Sequence, residues 1–116
     1  MPRRLESLLR TIQDQIRILQ RLTEGKSLAA YQLNEVDRLA CERCLSIVGE
    51  AVVQIKNHYP EEAEQIREYM EICRFRNRLI HMYDNMDDAV VFEIIQSAIP
   101  RLDEDVRRLL DVRESA

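Results

Sequence analysis

The chain has 116 residues, 46% apolar and 33% charged, with 17 basic and 21 acidic side chains and a formal net charge of −4. Two glycines and three prolines are too few to turn a sandwich or barrel of this length, so composition points to a few long helices. The same figures exclude collagen-like, disulfide-framework and low-complexity classes, and the negative balance excludes a broadly basic nucleic-acid-binding surface.

The first expected helix runs from about Pro2 to Glu24. Leu5, Leu8, Leu9, Ile12, Ile16, Leu19 and Leu22 form one stripe at helical spacing. Pro2 suits a first turn and Gly25 suits a stop. The second helix is capped by Ser27, with a start as late as Asn34 also allowed, and ends near Asn57 or His58. Its stripe is Leu33, Val36, Ala40, Cys44, Ile47, Ala51 and Ile55, broadened by Leu39, Val48 and Val52. Gly49 inside it costs about 1 kcal/mol relative to alanine and predicts a close helix crossing. His58 sits where positive charge is favoured.

Pro60 opens the third helix, with Glu61, Glu62 and Glu64 at its positive end. Its stripe is Ile66, Tyr69, Met70, Cys73, Asn77 and Ile80, and it breaks at Tyr83-Asp84-Asn85. Asn85 or Asp87 caps the fourth. Its register of Val91, Ile95, Ala98, Leu102, Val106 and Leu109 runs through Pro100, predicting one helix kinked there rather than two. The mixed charges from Arg101 to Arg113 read as a solvated face, and the tail beyond frays.

The sum is an all-α, up-and-down bundle in a single domain over 1–116, with its core at about 2–112. Stripes wider than one such core requires suggest a further apolar face and a homodimer. No apolar run approaches the ~20 residues of a membrane span. The start of the chain lacks the apolar stretch of a signal peptide. Three cysteines, an odd number, suit a reducing compartment. The expectation is a soluble, cytoplasmic protein. Cys41-Glu42-Arg43-Cys44 has the spacing of half a zinc site but lies mid-helix with Cys44 on an apolar stripe, so no metal or cofactor is expected. Tyr31 and Tyr69 read as core or interface.

The segment from Phe75 to Asp84 does not fit a bland helix. Arg74, Arg76 and Arg78 place three positive charges in five residues of an acidic chain, and Asn77 falls where an apolar residue is due. His81 and Tyr83 follow as the helix nears its end. Histidine can give and take protons near neutral pH, and arginine can hold a phosphate and stabilise charge on a pentacovalent phosphorus. Such a set suits RNA transesterification with the ribose 2′-hydroxyl as nucleophile, without a metal. One geometric difficulty arises, because five residues correspond to about 140° around an ideal helix. Either the helix ends or distorts before His81, or the working site combines residues from two chains. If two chains pair at this segment, the cleft would hold six arginines.

Arg76-x4-His81-x-Tyr83, with Asn77 directly after the arginine, resembles the motif of HEPN domains and, more narrowly, of the HepT-like branch. Ile47-Val48-Gly49-Glu50-Ala51 resembles the Gly-Glu-Ala stretch of that branch's long helix. Tyr83 to Asp87, Val90-Val91 and Ile99-Pro100-Arg101-Leu102 resemble its downstream pattern. The likeness covers roughly residues 1 to 112.

The resemblance implies a four- or five-helix HEPN bundle, homodimeric, with the two motifs facing across a cleft. It implies the toxin half of a toxin–antitoxin pair, acting as a metal-independent endoribonuclease. Arg76, Asn77 and His81 are then catalytic, with Arg74 and Arg78 as supporting basic residues. It also implies an MntA-like minimal nucleotidyltransferase as antitoxin, which neutralises the toxin by transferring AMP to Tyr83. Arg78 and Met82 fall on variable motif positions. The alternative is a non-catalytic HEPN module that binds the nucleotidyltransferase, or a nucleotide, through the same cleft.

Overall fold

The computed structural model describes residues 4–81 and 87–115, and of residues 81, 114 and 115 it describes the backbone alone. The expected break at Tyr83-Asp84-Asn85, the position of Tyr83 and the possible Asn85 cap lie outside these residues. The described chain is all-α: α1 (Leu5–Thr23), α2 (Leu28–Leu33), α3 (Glu35–His58), α4 (Pro60–Ala63), α5 (Tyr69–His81), α6 (Asp88–Gln96) and α7 (Ala98–Ser115). α1 packs on α3 and α7, α5 also packs on α3, and α6 lies against α7 and α2.

α1 follows its sequence stripe. Leu5, Leu8, Leu9, Ile12, Ile16 and Leu19 are all buried, and Gly25 closes the helix end with φ at 70°, a conformation costly for any residue with a Cβ. Each of the three later helices expected from the sequence is instead delivered as a short helix followed by a longer one.

Between α2 and α3 both candidate caps are used. The Ser27 side chain accepts from the Ala30 N–H at 3.2 Å, and Asn34 Oδ1 accepts from the Asp37 N–H at 3.0 Å. Asn34 sits in extended backbone, which ends one helix and starts the next. The break also rotates the apolar faces. Leu33 and Val36, expected in the core, are 88% and 75% exposed, and Leu39 is exposed with them. The buried face of α3 is Cys41, Cys44, Leu45, Val48, Gly49, Ala51, Val52 and Ile55. His58 ends the helix, as its charge preference suggests.

The expected helix from Pro60 stops at Ala63. The Arg67 N–H donates to Asp105 Oδ2 on α7 at 2.9 Å instead of to a carbonyl of its own segment, so residues 64–68 form turns and α5 starts at Tyr69. Asp105 is fully buried at 0% exposure, which corrects the reading of the Arg101–Arg113 run as wholly solvated. Arg67 Nε at 3.2 Å and Arg108 Nη2 at 2.9 Å complete the enclosure of its carboxylate. Burial alone would raise the Asp105 carboxyl, but the backbone and side-chain hydrogen bonds from Arg67, with that from Arg108, outweigh it and hold the group below its ordinary value.

The apolar face of α5 is also turned from the expected one. Ile72, Cys73, Phe75 and Leu79 are buried, whereas Met70, Ile80 and Asn77 are exposed. Asn77 is therefore a surface residue rather than a polar intrusion into the core. Asp87 caps α6 through its Oδ1, which accepts from the Ala89 N–H at 2.9 Å. The fourth expected helix breaks at Ser97, not at Pro100. Pro100 falls in the first turn of α7, where a missing N–H leaves no intrahelical bond unmade. No helix among the described residues is long and apolar enough to cross a membrane.

Candidate active site

Arg76 on α5 faces α3, and Gly49 is why it can. A Cβ built on Gly49 would overlap the Arg76 Cβ and lie 2.7 Å from its Cγ and 3.5 Å from its Cα. Only hydrogen at position 49 lets the two helices meet at this point. The next residue, Glu50, then reaches the guanidinium: Arg76 Nη2 donates to Glu50 Oε2 at 2.5 Å. From its own helix, Asn77 Oδ1 accepts from Arg76 Nη1 at 3.3 Å. The Arg76 side chain is three-quarters covered, while that of Glu50 is half exposed.

These groups open onto a groove of about 290 Å³ between α1, α3 and α5. Thr11 lines it from α1, Arg43 and Gln54 from α3, and Ile80 from α5, beside the Glu50–Arg76 pair. Arg43 brings a second cation that the motif does not contain. It lies seven residues before Glu50, two turns along one face of α3. That spacing is the sequence signal that places the two residues on one face.

The three clustered arginines do not act as one patch. Arg74 and Arg78 line a different, largely apolar groove of about 470 Å³ formed with α6, together with Phe75, Val90 and Ile94. Residues one turn apart share a helix face, and Arg76 between them points away. A larger hollow of about 660 Å³ lies beside the end of α1, against Ile95, Gln96 and Pro100. It contains none of the motif residues, so size alone does not locate the chemistry.

His81 is the last residue of α5, which is helical without interruption from Tyr69. The helix therefore does not end before His81. Position 81 stands about 140° around the axis from position 76. The cysteines lie in the core. Cys41, Cys44 and Cys73 are buried free thiols, and burial, with the charge of Cys44 and Asp37 nearby, pushes the Cys41 thiol up to about 11. Among the described residues no group of three or more His, Cys, Asp or Glu could hold a metal ion. Chemically, the groove offers a fixed guanidinium, a second cation and amide groups, which together suit a phosphodiester.

A family model described as "Ribonuclease HepT-like" matches residues 12–109. The chain belongs to the HepT-like ribonuclease family. Arg76, Asn77, His81 and Tyr83 of this HepT-like chain all fall within the matched span. Among curated proteins it is similar to "Putative RNase MJ1216" of Methanocaldococcus jannaschii, 26% identical over 111 residues, which covers 95% of this chain and 91% of the relative. It is similar to "Probable ribonuclease HepT" of Thermococcus cleftensis, 28% identical over 102 residues, covering 88% and 92%. A protein of Caldanaerobacter subterraneus, "Putative RNase TTE0752", is 30% identical over 87 residues, covering 75% and 77%.

Proposed function

We propose that this HepT-like chain is a metal-independent endoribonuclease and the toxin of a toxin–antitoxin pair, with each active site composed from two protomers. The observation that carries this reading is the seating of Arg76: a glycine crossing and a carboxylate hold one guanidinium at the edge of a groove, on a helix that continues unbroken to His81. Positions 76 and 81 lie on different sides of a regular helix, and pairing two protomers would bring both kinds of side chain to one phosphate. The exposed apolar residues Leu33, Val36 and Leu39 supply a surface that a second copy would cover.

In this mechanism Arg76 holds the scissile phosphate and stabilises charge as it grows on the phosphorane, and Asn77 supports the guanidinium. His81 takes the proton of the ribose 2′-hydroxyl as that oxygen attacks phosphorus. The bond from phosphorus to the 5′-oxygen breaks, and the leaving oxygen takes a proton from the His81 imidazolium of the second protomer. The products are a 2′,3′-cyclic phosphate and a 5′-hydroxyl, and no metal enters the balance.

The wild type is expected to sediment as a dimer and to cut single-stranded RNA in EDTA. His81→Ala should sediment identically and cut at least about 100-fold more slowly, the usual scale for losing a general acid or base. Equal rates for the two proteins would leave the non-catalytic binding module as the correct reading. A monomer at micromolar concentration would remove the composite site.

The proposed partner is an MntA-like minimal nucleotidyltransferase acting from the cytoplasm that both proteins share. The Tyr83 phenolate would attack the α-phosphorus of ATP, leaving AMP on the ring oxygen and releasing pyrophosphate. Mass spectrometry after incubation with partner and ATP should find one AMP on Tyr83. Equal labelling of Tyr83→Phe would overturn the assignment.

A further inference from the structure

We propose that Glu50 is a positioning residue for Arg76, an inference that deepens the ribonuclease reading and rests on it. The family motif supplies an arginine; it does not say what aims it. An arginine side chain has several freely rotating bonds, and a guanidinium left loose in a groove would meet a phosphate in many orientations. Here the group is held at both ends, with Nη2 bound to Glu50 Oε2 on α3 and Nη1 bound to Asn77 Oδ1 on α5. Its stem is fixed beneath by the crossing at Gly49. A guanidinium carries five N–H donors, so two anchors leave three for a substrate.

The anchor is anionic, and that decides the kinetic signature. Glu50 offsets part of the Arg76 charge, so it weakens the ground-state attraction between groove and RNA. It also fixes the guanidinium where charge develops during reaction, and fixed donors are worth most in the transition state. Arg43 lines the same groove and supplies a second cation for the RNA backbone beside Arg76. Removing Glu50 should therefore lower kcat without raising KM. A residue that contacts RNA, or one that merely holds the fold, would not give that split.

The test compares wild type, Glu50→Ala and Glu50→Gln. In Glu50→Ala, kcat should fall at least about tenfold with KM unchanged or lower, since small misplacement of a catalytic group is costly. Glu50→Gln keeps an acceptor oxygen and should recover most of the lost kcat. Melting temperatures should agree within a few degrees among the three, because Glu50 is half exposed and solvent screens its pairing with Arg76. A rise in kcat for Glu50→Ala, a rise in KM alone, or failure of glutamine to rescue would each overturn the proposal. A second readout is independent of cleavage: phenylglyoxal modification of Arg76, followed by peptide mass spectrometry. It should be slow in wild type and Glu50→Gln and several-fold faster in Glu50→Ala. If wild type cuts no more RNA than His81→Ala, the ribonuclease reading fails, and the modification rates alone then decide whether Glu50 holds Arg76. Equal rates in all three proteins would sink the positioning role whatever the nuclease assay shows.

Discussion

Gly49→Ala should nearly abolish RNA cleavage and also destabilise the fold. The added methyl meets Arg76 Cβ and Cγ, the rigid start of the side chain rather than its flexible end, so α5 or α3 must shift. Overpacking of this kind costs about 1–3 kcal/mol, and alanine returns about 1 kcal/mol by favouring the helix. With an overlap this close to the backbone the upper end of that range applies, and the net loss is about 2 kcal/mol, or about 8 °C in melting temperature for a chain of this size. The displacement falls on the residue whose aim the chemistry needs, and a shift of about 1 Å can cost about 100-fold in rate. Gly49→Val, with two further methyl carbons, should lose activity and destabilise more steeply. An alanine variant as active as wild type would show that the crossing at Gly49 has no bearing on the site.

The second large effect is on stability and comes from Asp105. Asp105→Ala strips the partner from the Arg67 N–H and leaves the enclosure built around the carboxylate empty. Breaking a buried, hydrogen-bonded carboxylate of this type costs about 2–4 kcal/mol, and the melting temperature should drop by about 10 °C. The contribution has a defined pH dependence. Because hydrogen bonds hold the folded Asp105 below its unfolded value, it binds its proton more weakly when folded. The stabilisation is therefore fully present above the unfolded value of about 4, and it is lost as pH falls through the lower, folded one. Denaturant unfolding of wild type and Asp105→Ala should differ by a constant amount above about pH 5, and the gap should close below about pH 4. A gap that stays constant to pH 3 would mean the carboxylate's charge is not the source of the stabilisation.

How far the sequence reveals this molecule depends on the range of the interaction concerned. α1 is legible almost residue by residue, because its buried face is set by local periodicity and its stop by Gly25. The start of the second expected helix is legible only as two rival caps, and the structure uses both. The apolar character of Leu33, Val36 and Leu39 records a wish for burial, but not in which core, so their exposure could not be read from spacing. The break before Tyr69 depends on a carboxylate 38 residues away, and a window along the chain does not contain that partner. Spacing alone puts Asn77 on the apolar face because the apolar residues of α5 allow two stripes, and packing by Phe75 and Leu79 decides between them. The candidate site is legible as a motif, and the crossing at Gly49 is legible as a crossing. That the glycine faces Arg76, and that Glu50 binds it, needed the third dimension.

α5 presents Arg76 to one groove and Arg74 with Arg78 to another, on opposite sides of a single helix. Selection can act on these two surfaces separately. Substitutions at positions 74 and 78 would alter whatever meets the α6 side while leaving the guanidinium beside Glu50 undisturbed, and the reverse also holds. A lineage could thus exchange recognition on one flank without rebuilding the other, and the alternation of fast and slow positions along this helix would preserve a record of which flank was changing.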